Sequence, residues 1–90
     1  MTLHLEVHGR VQGVGFRWYV LETARRLDLA GWVRNRRDGA VEVAAEGTAD
    51  TLRQLREVVE QGPPGAAVRM VRELPTSDLG ALPHPFTVIH

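Results

Sequence analysis

Cysteine is absent from the 90 residues. That excludes disulfides, thiolate nucleophiles and cysteine metal ligands. Lysine is absent as well: all 11 basic residues are arginine, and 11 acidic residues balance them. Without lysine there is no Walker A phosphate loop, whose G-x-x-x-x-G-K-[ST] pattern depends on it. Without a basic excess there is little case for a general nucleic-acid or membrane-surface binder. Serine occurs once, at Ser77, which leaves a hydrolytic triad unsupported. No apolar run approaches the length of a membrane span, and no targeting segment precedes the first apolar pattern. These absences lead us to expect a cytoplasmic protein with no membrane partner.

What is present suits one domain over residues 1–90, with 43% apolar residues for a modest core. Leu3, Leu5 and Val7 alternate with His4, Glu6 and His8, as in a strand buried on one side. A helix follows from about Arg17 to Asp28, with Phe16, Val20, Ala24 and Leu27 on one face. Ala30–Arg37 reads as a second strand, Asp38-Gly39 as a hairpin turn, and Ala40–Glu46 as a third strand with Val41, Val43 and Ala45 together. Thr48 is an expected N-cap for a second helix with Leu52, Leu55 and Val59 inward. Gly62-Pro63-Pro64-Gly65 ends that helix. A fourth strand covers Ala67–Glu73. After a loop from Pro75 to Pro85, Phe86–His90 is a short terminal strand with Phe86 and Val88 inward. The order β-α-β-β-α-β plus a terminal strand predicts an α+β, ferredoxin-like split βαβ sandwich: a mostly antiparallel sheet with two helices on one face. On this pattern His4, His8, Glu42 and Glu46 are expected on solvated strand positions, and no histidine shows metal-ligand spacing.

Gly9 to Arg17, G-R-V-Q-G-V-G-F-R, stands between the first strand and the first helix. Its glycines permit a tight turn that brings backbone N–H groups close to a ligand. Arg17 opens the helix, where a cation is unfavourable by a few tenths to about 1 kcal/mol and an acid or hydroxyl is usual. Glycines, helix N-terminus and arginine concentrate positive charge on one point, which suits an anion such as phosphate. The plain alternative is an ordinary strand-to-helix connection. Trp18 stands where a dinucleotide fingerprint would need its third glycine. Arg10 is a second candidate cation, or a solvated one.

Asn35 is unusual as a strand residue sharing a face with the inward Val33. It is either a polar strand end before the hairpin or an amide that holds a water without changing charge. Arg34, Arg36 and Arg37 raise the thought of RNA, but the aromatic pattern that stacks bases on such sheets is missing. No paired-carboxylate site is evident.

Taken together, Gly9–Arg17, Gly31–Asn35 (G-W-V-R-N) and Asp38-Gly39-Ala40-Val41 closely resemble the acylphosphatase family. The likeness runs in order along nearly the whole chain, including Gly62-Pro63, Ala67-Val68 and Val71. It implies a small hydrolase that uses no cofactor and no metal and acts on carboxyl–phosphate mixed anhydrides, releasing inorganic phosphate. It assigns phosphate binding to Arg17 and the loop backbone of Arg10, Val11, Gln12, Gly13, Val14, Gly15 and Phe16, and water positioning to Asn35. The terminal His90 departs from the family, which often has Tyr or a basic residue there. A related module begins much larger hydrogenase-maturation proteins; this chain shows none of their other domains and is expected to stand alone, as a monomer. A carboxylate leaving group, with a pKa of roughly 4, needs no strong acid. Weak selectivity for the acyl group is expected, and a phosphate-binding module without turnover is the alternative reading.

Overall fold

The computed structural model describes all residues, Met1 to His90. The elements are β1 (Thr2–Arg10), α1 (Phe16–Arg26), β2 (Ala30–Asn35), β3 (Val41–Glu46), α2 (Ala49–Gln61), β4 (Ala67–Glu73) and β5 (Thr87–Val88). They form one five-stranded sheet in the order β4-β1-β3-β2-β5. β3 runs antiparallel to both β1 and β2, β4 is antiparallel to β1, and β5 lies parallel to β2. This is the α+β ferredoxin-like arrangement expected from the element order. Several elements are shorter than the sequence suggests: β3 starts at Val41, and β5 keeps only Thr87–Val88 of the expected Phe86–His90. α1 stops at Arg26, with Asp28 in a left-handed conformation (φ 57°), and β2 stops at Asn35 because the hairpin begins there.

One apolar cluster joins the sheet to both helices. Leu5, Val7, Val33, Val41, Val43 and Ala45 come from the strands, Phe16, Val20 and Ala24 from α1, and Leu52, Leu55 and Val59 from α2. Phe86 joins them fully buried, and Val88 packs against the cluster. Burial of the Phe16 ring contributes about 1.5–3 kcal/mol and fixes where α1 starts and how it is rotated. Leu27, expected on the inner face of α1, is only half-buried, and Thr23 takes an inner position.

The opposite face of the sheet corrects the sequence reading. Glu6 and Glu42 are directly paired across β1 and β3, and both are buried rather than solvated. Cations cover them. Glu6 accepts from His8 Nε2 at 2.7 Å, from Arg36 Nη1, and pairs with Arg72 Nη2 at 2.9 Å. Glu42 accepts from His4 Nε2 at 2.5 Å and from Arg34 Nε at 2.9 Å. The two histidines are therefore lids on carboxylates. The hydrogen bond from His8, helped by Arg36 and Arg72 against the opposing effect of burial, lowers the Glu6 pKa to about 2. Burial pushes Glu42 up, but the hydrogen bonds from His4 and Arg34 outweigh it and its pKa is lowered. The bond to Glu6 holds the Arg36 guanidinium above its ordinary value. Glu46 is exposed, as expected.

Candidate active site

Because β3 is antiparallel to both neighbours, β1 and β2 run in the same direction, and β5 runs with them. Their carboxyl ends meet at one edge of the sheet. The loop after β1, Asn35 at the end of β2 and the residues after β5 converge there on a cleft of about 380 Å³. Its lining includes Val11, Gly13, Gly15, Phe16, Arg17, Trp18, Asn35, Val88 and His90.

The loop is shaped by its glycines. Gly13 and Gly15 have φ of 75° and 79°, a region other residues enter only with strain. Gly15 is the N-cap of α1 and brings no side-chain hydrogen bond, and the first turn carries no acidic residue. None of the backbone N–H groups from Gln12 to Trp18 finds an acceptor in the protein. Arg17, half-buried in that first turn, forms no ion pair, unlike Arg34 and Arg36. First-turn side chains lean back towards the helix N-terminus, so the guanidinium leans over the loop. Unpartnered N–H groups and an unpaired guanidinium form a cradle for an anion with several oxygens.

Asn35 faces this cradle. Its Oδ1 is buried and has no hydrogen-bond partner. Leaving such an acceptor unsatisfied costs about 1–3 kcal/mol. Val33, two residues earlier on the same face, is fully buried and holds the strand end in place.

Three side chains of the loop point away from the cleft, which leaves only their backbone available to a ligand. Arg10 ends β1, exposed and paired with Ala67 of β4, and does not line the cleft. Its strand continues two residues past the expected end, which carries the side chain away. Val14 packs against the core. Gln12 turns to the hairpin instead: its Nε2 donates to Arg36 O at 2.7 Å and Ala40 O at 2.9 Å. It ties the glycine loop to the strand end that carries Asn35.

Trp18, Val88 and His90 border the cleft and were not among the expected site residues. The alternation of Phe86 and Val88 hinted at β5. Its parallel pairing beside β2, with Val33 opposite Val88 and the Ile89 N–H donating to Val33 O, is a long-range fact that no local pattern carries. A second hollow of about 360 Å³ lies against Arg34, Asn35, Arg36, Arg37 and Asp38, where Glu42, Glu6 and Asp38 already neutralise two of the arginines.

The acylphosphatase family model matches residues 3–86, which takes in both the loop and Asn35. The chain belongs to the acylphosphatase family. An acylphosphatase of Cupriavidus necator is 54% identical over 70 residues, covering 78% of this chain and 76% of its own. The crystal structure of acylphosphatase from Bacillus subtilis superposes with a TM-score of 0.90 at 39% identity, covering 99% of this chain and 98% of that one. HypF of T. kodakarensis aligns with a TM-score of 0.81 at 29% identity over 99% of this chain but only 12% of its own length. The acylphosphatase architecture thus occurs both at this size and inside a far larger protein.

Proposed function

We propose that the cleft hydrolyses acyl phosphates to a carboxylate and inorganic phosphate. Arg17 and the N–H groups of the loop hold the phosphoryl oxygens. Asn35 Oδ1 accepts a hydrogen bond from the attacking water and keeps it in line with the bond to be broken. The water oxygen bonds to phosphorus while the phosphorus–oxygen bond to the acyl group breaks. The bonding pair leaves with the carboxylate, and the water's protons go to phosphate oxygens or solvent. Asn35 never changes charge. Phosphoryl transfer of this kind depends mainly on positioning and on stabilising charge on the equatorial oxygens. The carboxylate leaves unprotonated, its pKa being roughly 4, so no general acid is needed. Nor does any step call for a metal ion.

The observation that carries this reading is the buried, unpartnered Oδ1 of Asn35 in the same cleft as the unpaired Arg17. A pure phosphate binder has no use for a buried acceptor, since an anion presents acceptors of its own.

The proposal extends to a monomer folded as one domain, supported by the single apolar cluster. It includes no nucleic-acid partner, because Glu42 and Glu6 neutralise Arg34 and Arg36. A doubly charged anhydride does not cross a bilayer unaided, which is the ground for a cytoplasmic site of action.

The test is phosphate release from benzoyl phosphate in EDTA, by the parent and by Asn35→Ala. Expected is rapid release by the parent and a loss of orders of magnitude in the variant, with affinity for inorganic phosphate largely kept. A folded parent that binds phosphate without releasing it from the anhydride would make the protein a binding module. Activity lost in EDTA and restored by a divalent cation would overturn the metal-free mechanism.

A further inference from the structure

The cleft is larger than its anion cradle. Its lining runs beyond the loop glycines, Arg17 and Asn35 to Val11, Phe16, Trp18, Val88 and His90. A phosphoryl group brings only three oxygens, and the bridging oxygen belongs to the leaving carboxylate. Four of the nine lining residues are apolar, and His90 is the one polar side chain besides Arg17 and Asn35. Val11 and Phe16 form a buried floor, and Trp18 and Val88 stand along the sides.

Trp18 is the unusual member. It is 63% exposed, one of the few large apolar side chains left open to solvent. Standing next to Arg17 in the first turn of α1, it leans towards the same helix end. An indole beside an anion cradle offers a flat apolar face at the place where the non-phosphate end of a bound substrate must emerge.

We infer that Trp18, with Val88, is the acyl-group subsite and sets specificity for flat, uncharged, apolar acyl groups, aroyl phosphates above acetyl phosphate. This rests on the hydrolase reading above and replaces the expectation of weak acyl selectivity. The ring of an aroyl group is conjugated with its carbonyl, so the whole acyl part is one plane that can lie against the indole. An acetyl group has too little surface to gain from that contact. Trp18 touches neither the phosphorus nor the water in this arrangement, so its contribution belongs to substrate binding.

Steady-state kinetics on benzoyl phosphate and acetyl phosphate, for the parent, Trp18→Ala and Trp18→Phe, test the inference. Aromatic contacts of this kind correspond to a change of roughly three- to tenfold. Trp18→Ala is expected to lower the ratio of kcat/KM for benzoyl over acetyl phosphate by that factor, through KM rather than kcat. Trp18→Phe is expected to recover most of it. The inhibition constant of inorganic phosphate is expected to move less than the benzoyl phosphate KM. An unchanged benzoyl-to-acetyl ratio in Trp18→Ala, with both substrates still turned over, would overturn the subsite and leave the hydrolase reading intact. An equal loss on both substrates would do the same, assigning Trp18 to the phosphate end. A parent that hydrolyses neither substrate would remove both readings together.

Discussion

The two helices begin in opposite ways. At the start of α2 the hydroxyl of Thr48 accepts from the Thr51 N–H at 3.2 Å, and Asp50 supplies a negative charge in the first turn. Asp50 in turn pairs with Arg53, whose bond holds the carboxyl below its ordinary pKa. At the start of α1 the cap is a glycine, no acid is present, and Arg17 adds positive charge to the positive end of the helix. The same chain can finish a helix end well, as α2 shows. In the proposed function, the uncapped end of α1 receives its negative partner from the substrate.

Arg17→Ala breaks this contrast most severely. Turnover of benzoyl phosphate is expected to fall by at least about a thousandfold, as when a charge-stabilising arginine is removed from other phosphoryl-transfer sites. Thermal stability should stay level or rise slightly, because an unfavourable cation leaves the helix N-terminus. A variant that keeps the parent's inorganic phosphate affinity would show that the Arg17 side chain does not hold the anion.

Glu6→Gln sharpens the contrast by treating a carboxylate whose cations are already in place. The Glu6 pKa lies at about 2, below the ordinary 4.5, so its ionised form is favoured by folding. Its contribution is complete above about pH 4.5 and disappears as the pH falls towards 2. Acid unfolding of the parent, followed by circular dichroism, should show that loss. The variant should be less stable at neutral pH and less sensitive to acid in this window. Equal acid sensitivity in both would remove Glu6 from the account.

Thr48→Ala gives the smallest effect and the mirror image of the first. About 1 kcal/mol of stability should be lost in denaturant melts, with kcat and KM unchanged. A loss of turnover at constant stability would contradict the division of labour between the two helix ends.

Much of this was legible in the sequence, because it rests on local patterns. The alternation in β1 and β3, the hairpin at Asp38-Gly39, the Thr48 cap and the glycine loop are each written in fewer than ten neighbouring residues. Arg17 could be singled out because it breaks a local rule, and Asn35 because it breaks a strand preference. What escaped was set by register and distance. The pairing of Glu6 with Glu42 depends on how β1 slides along β3, so His4 and His8 read as solvated when they cap buried carboxylates. The sequence offered a role for the Gln12 backbone but none for its side chain, whose partners lie more than twenty residues away on the hairpin. Arg10 reads from the sequence as either a second cation or a solvated residue, and its place at the exposed end of β1 fits the second.

The amide of Gln12 has a consequence for motion. By bridging to the carbonyls of Arg36 and Ala40, it cross-links the glycine loop to the hairpin that follows β2. Any drift of the loop away from the end of β2 has to break both bonds first, so one side chain works as a tie-rod between two strands that the sheet keeps apart by β3.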